Sequence, residues 1–156
     1  MGRLKKSLGI NTDSVRIRDF ELGGQKFRVR VPLSTEAESM FEKTNEPPKE
    51  LVDSKFKEIA EPLYANKESF NTEEFVFTDD DIIVKDKSMR EMAKNKATTE
   101  MRIVETFKLL VPADGTNFNN LTYEEINEEF PFPVQLSIVK KITEVISPGY
   151  EETRKN

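Results

Sequence analysis

The 156-residue chain contains no cysteine, no histidine and no tryptophan. It therefore has no imidazole base, thiolate nucleophile or disulfide, and no zinc site built from nitrogen and sulfur ligands. Serine and threonine lack a histidine to activate them, and no G-x-S-x-G elbow is present. Glycine is scarce, and the Gly23-Gly24 pair is followed by strand-like sequence where a phosphate loop would precede a helix. No segment approaches the roughly 18 apolar residues of a membrane span, and Met1–Ile10 lacks the apolar centre of a secretory signal. Together these absences argue against an enzyme, a cofactor and a membrane protein, and they predict a protein that stays in the cytoplasm where it is made.

Charge, by contrast, is abundant. Charged residues make up 34% of the chain and the formal net charge is -5, against a hydrophobic fraction of only 36%. A chain of this length buries roughly 68–70% of its unfolded surface, so the expected core is modest and the surface very polar. Residues 1–30 carry eight Lys or Arg against three Asp or Glu, and the remainder carries sixteen against twenty-six. The basic segment could meet phosphate, but the acidic balance of the whole argues against nucleic acid and for a solvated face or an acidic neighbour.

The pattern of residues predicts an α+β fold, mainly α. A β-hairpin over about 15–31 is followed by a bundle of about five helices across 34–147 and a flexible tail at 148–156, all in a single domain. Gly23-Gly24 supplies the positive φ angles of a two-residue turn, which pairs Phe20 with Phe27 on one face and Glu21 with Lys26 and Asp19 with Arg28 on the other. A bulge near Arg18–Asp19 is expected, to return Ile17 and Val15 to the apolar face. Ser34 or Thr35 is placed as the N-cap, the latter with Thr35-x-x-Glu38 as a capping box, of a short helix to about Thr44. Pro48 opens the next helix, with Leu51, Val52, Phe56, Ile59 and Leu63 inward. Residues 65–81 read as a polar loop around an extended Phe75–Phe77, and Asp81-Ile82-Ile83-Val84 as a brief strand. Ser88 caps the longest helix, predicted to reach Leu110, with Met89, Met92, Ala93, Ala97, Met101, Val104 and Phe107 on one face. Thr122 caps a short helix through Phe130. Pro133 starts the last one, whose stripe is Val134, Leu136, Ile138, Val139, Ile142, Val145 and Ile146.

Two acidic clusters invite chemistry. Counted from Asp79, an EF-hand loop would need Gly at its sixth position and Glu at its twelfth, where the chain has Val84 and Arg90. The Asp79-Asp80-Asp81 run thus reads as carboxylates that are either solvated or near a helix start, not a metal site. Glu124, Glu125, Glu128 and Glu129 fall on a short helix that presents them largely to water. Binding features are more promising. Met89 and Met92 offer adaptable thioethers on the long helix, with ordinary core packing as the alternative. Phe130-Pro131-Phe132-Pro133 forms a stiff aromatic corner that either locks two helices together or anchors a partner.

The chain resembles the tail assembly chaperones of long-tailed (siphovirus-type) bacteriophages. The resemblance rests on an ordered succession: Phe27-Arg28-Val29-Arg30-Val31-Pro32-Leu33-Ser34, then Phe107-Lys108-Leu109-Leu110-Val111-Pro112, Leu121-Thr122-Tyr123-Glu124-Glu125-Ile126, Phe130-Pro131-Phe132-Pro133-Val134-Gln135, and the ending from Ile146-Ser147-Pro148-Gly149-Tyr150 to Arg154-Lys155-Asn156. It is weakest between Pro47 and Asp81. It implies a non-enzymatic helper that binds and solubilises the tape measure protein, helps recruit major tail protein, and is absent from the mature virion. It further implies homo-oligomers and, in many members, a frameshifted longer form that contacts the major tail protein. Partner binding is expected at Met89, Met92, Phe130, Pro131, Phe132, Pro133 and Tyr150. The alternatives are a tail-completion or connector subunit of the virion and a small host adaptor acting through its acidic face.

Overall fold

The computed structural model describes residues 3–11 and 15–147. The tail from 148, including Tyr150, lies outside the described residues. The chain is α+β and mainly helical, with the expected hairpin near its start followed by five α-helices. Its elements are α1 (Arg3–Leu8), β1 (Ile17–Leu22), β2 (Gln25–Arg30), α2 (Ser34–Asn45), α3 (Lys49–Ala65), a 3-10 turn (Lys67–Ser69), β3 (Phe75–Phe77), β4 (Ile82–Val84), β5 (Lys87–Ser88), α4 (Met89–Phe107), α5 (Tyr123–Glu129) and α6 (Phe132–Ile146). They divide into two compact units, residues 1–38 with 103–156 and residues 39–102.

In the first unit the hairpin pairs as its sequence predicts, Phe20 opposite Phe27, Glu21 opposite Lys26 and Asp19 opposite Arg28. The two phenylalanine rings stack with centroids 5.0 Å apart. Gly23 and Gly24 both take positive φ, 59° and 78°, as a two-residue turn of matching twist requires. The expected bulge is absent: the register runs unbroken from Leu22 to Ile17. Period-two alternation therefore places Arg18, not Ile17, on the side of Phe20. A charged residue is accommodated there because its Nη1 donates to the carbonyls of Val145 (2.5 Å) and Ser147 (3.3 Å), at the carbonyl-rich end of α6. Helix α6 packs across both strands and buries Ile138, Val139, Ile142 and Val145.

The long helix ends at Phe107, three residues short of the expected Leu110. The residues that follow are held by the hairpin instead. Arg30 N–H donates to the Leu109 carbonyl at 2.8 Å and Val111 N–H to the Arg28 carbonyl at 2.9 Å, making Val29 and Leu110 an antiparallel bridge beside β2. Helical periodicity could not reveal this, because Leu109, Leu110 and Val111 suit a strand as well as a helix.

The second unit has its own core of Phe56, Ala60, Ile82, Met89 and Ala93, flanked by Val52, Ile59, Leu63, Phe77 and Val84. The extended Phe75–Phe77 and the brief strand after it are present as β3 and β4, and with the unexpected β5 they form a three-stranded antiparallel meander. Ser88 caps α4 as expected, its Oγ accepting from Glu91 N–H at 3.1 Å. The adjacent orphan donor, Arg90 N–H, goes to Asp81 Oδ1 at 2.9 Å. Helix α2 begins at Ser34, so Thr35 sits inside its first turn and not at its cap. None of its residues is buried.

Candidate functional site

Among the described residues no group of three Asp or Glu is placed to hold a metal ion. The Asp81 carboxylate is already engaged, accepting from Ser88 Oγ (2.5 Å) and from the N–H groups of Ile82 (2.7 Å) and Arg90 (2.9 Å). Partial burial pushes its pKa up. The Ser88 and backbone hydrogen bonds and the Arg90 charge outweigh that and hold it below its ordinary value. Arg90 is tied in turn to the Asp80 carbonyl and the Asp53 carboxylate and lies over the Phe56 ring at 4.2 Å. The triple-aspartate run is thus the anchor of a helix start.

The two methionines separate in role. Met89 is 8% exposed and belongs to the core of the second unit, so a partner cannot reach it without opening that core. Met92, one turn on, is 48% exposed. Both lie in the unit of residues 39–102, whereas the Phe-Pro corner belongs to the other.

That corner is built around a residue the sequence reading passed over. Gln135 lies in the first turns of α6 and is fully buried. Its Oε1 accepts from the Tyr123 hydroxyl (3.0 Å), and its Nε2 donates to Asn127 Oδ1 (3.2 Å) and to the Phe130 carbonyl (2.7 Å). A buried amide is costly unless its donors and acceptors are satisfied, and here three bonds tie α5, the Pro131 turn and α6 into one rigid piece. Phe130 adds an edge-to-face contact with Phe107 at 5.9 Å. The only clue in the sequence was a polar residue on an apolar helical stripe.

With the corner held from behind, its front stays open. Pro131 and Pro133 are exposed. Phe132 is 46% and Leu136 43% exposed, although Leu136 was expected to face the core along with Val134, itself 39% exposed. Phe132 and Leu136 are one helical turn apart on one flank of α6; Val134 lies on the other. The buried stripe is narrower than expected because it is centred on Gln135, Ile138 and Ile142.

Beneath Phe130 the same unit contains a pocket of about 420 Å3. Its floor is apolar, with Phe107, Ile126 and Ile138 nearly inaccessible. Phe27, Phe118 and Leu121 complete the wall, and Lys26, Arg28, Glu125 and Glu129 stand at the rim. The volume suits side chains or a small ligand better than a few waters. No protein-family model, no curated protein and no solved structure matches the chain.

Proposed function

We propose that the chain is a non-enzymatic tail assembly chaperone of a long-tailed bacteriophage. It acts in the host cytoplasm, holds the tape measure protein soluble, and hands it on as major tail protein assembles around it. The observation that carries this reading is the corner at Phe130–Pro133. This segment, one of the succession on which the resemblance rests, is also a rigid apolar turn, fixed by Gln135 and exposing Phe132 and Leu136. Such a turn is suited to the apolar face of a long helix, since rigid aromatic anchors lose little entropy on binding. An affinity resting on a few side chains also permits release. No nucleotide-binding loop is apparent in the sequence, so release follows from displacement by major tail protein.

The test is the soluble yield of the tape measure protein expressed with and without this chain. Rescue with co-purification is expected, and no rescue with both proteins well expressed would contradict the reading. Mass spectrometry of purified virions separates it from a tail-completion or connector subunit: the chaperone is absent from mature particles, and the structural subunit is present.

A further inference from the structure

Two features of the first unit remain without a role, and they are complementary. The first is the amino-terminal arm. Helix α1 buries none of its residues, and Leu4, Leu8 and Ile10 are 73%, 65% and 41% exposed. Leu4 and Leu8 are one turn apart and share a face, while Arg3, Lys5 and Lys6 give the arm three positive charges with no acidic residue between positions 3 and 11. The second feature is the pocket beneath Phe130, apolar inside and bordered by α5. That helix carries Glu124, Glu125, Glu128 and Glu129, and none of these forms an ion pair among the described residues. Two cations stand at the rim opposite, Lys26 and Arg28, the latter 4.0 Å from Asp19. The four glutamates of α5 outnumber these two cations, so the α5 side of the pocket mouth carries an excess of negative charge where the arm is positive.

The arm does not occupy its own pocket, because its leucines are exposed and the pocket is open. We infer that the pocket receives the arm of a second copy of the chain, with Leu4 and Leu8 inside and the arm's basic side chains against Glu125 and Glu129. Arm and pocket are different surfaces, so the contact is heterologous: each copy gives an arm and receives one, and the assembly grows head to tail until it closes or runs on. The α5 glutamates set the orientation, and the leucines supply most of the affinity. This contact stands apart from the tape measure reading, whose surface is the Phe132 and Leu136 flank.

Sedimentation velocity of the full chain over a range of concentrations tests it. Wild type should form a series of species growing with concentration and receding as salt is raised. Leu4→Asp/Leu8→Asp should associate about a hundredfold more weakly, as expected for two buried leucines. Glu125→Lys/Glu129→Lys, both at exposed positions, should do likewise. The decisive sample mixes these two variants: the first keeps a working pocket and the second a working arm, so together they should form a one-to-one dimer and nothing larger. Wild type that stays monomeric throughout would overturn the inference, including the case of an arm folding onto its own pocket. Variants that associate like wild type, or a mixture that grows past the dimer, would also overturn it.

Discussion

At the scale of single residues, two buried polar groups carry more of the fold than their surroundings suggest. Gln135→Ala would remove the bonds to the Tyr123 hydroxyl, Asn127 Oδ1 and the Phe130 carbonyl and leave a cavity behind. A loss of about 2–4 kcal/mol is expected in urea unfolding, with a loosened Phe130–Pro133 corner. Glu100 is 5% exposed, and its carboxylate lies 2.9 Å from Lys55 Nζ on α3. Glu100→Ala should cost about 3–5 kcal/mol because it leaves the lysine's charge short of its nearest partner in a place with little water. Replacing both, as Lys55→Met/Glu100→Leu, should cost far less, since desolvation of the pair opposes its attraction. Stabilities of the two variants that differ by less than about 1 kcal/mol would show that the pair is solvated enough to be dispensable.

At the scale of elements, the start of α4 sets the acid response. The Asp81 carboxyl is held below its ordinary value, so the ionised form is the one that stabilises the folded state. Its contribution is full above the ordinary carboxylate pKa of about 4 and is lost as pH falls through the lower folded value. Asp81→Asn should cost about 1 kcal/mol at neutral pH, and the variant's stability should fall less steeply than wild type below about pH 4. Parallel pH profiles for the two proteins would remove Asp81 from this role. The β4–β5 turn is strained in a different way, with Lys85 at φ 50° and Asp86 at φ 69°, neither of them glycine. Lys85→Asn/Asp86→Gly fits the turn's backbone and should stabilise by about 1 kcal/mol in thermal unfolding.

These elements also show what the sequence made legible. The hairpin register, the α3 stripe, the Ser88 and Thr122 caps and the Pro131-Phe132-Pro133 helix start were readable because each is a local signal a few residues long. Arg18 on the inner face, the strand-like Leu109–Val111 and the pairing of β3 with β4 were not. The first two depend on a partner distant in the chain, the α6 carbonyls or β2, while β3 and β4 pair across residues 78–81, a connection without the glycine that marks a hairpin turn. Of the candidate site, the Phe-Pro corner was visible as stiff aromatic sequence. Its lock, Gln135, and the pocket beneath it were not, because both arise only when α4, α5, α6 and the hairpin converge.

At the scale of the whole molecule, the two compact units each have their own anchors, Gln135 in one and Asp81 in the other. The exposed apolar groups of the first unit include Leu4 and Leu8 on the arm and Phe132 and Leu136 on α6, which we propose serve copies of the chain and the tape measure protein respectively. The central claim is that the Phe132 flank holds the tape measure protein, and co-purification tests it most directly. The tape measure protein is expressed with wild type or with Phe132→Asp/Leu136→Asp, the variant's fold being checked by circular dichroism. The account predicts a soluble complex with wild type and loss of the complex with the folded variant. A folded variant that brings down as much tape measure protein as wild type would contradict it.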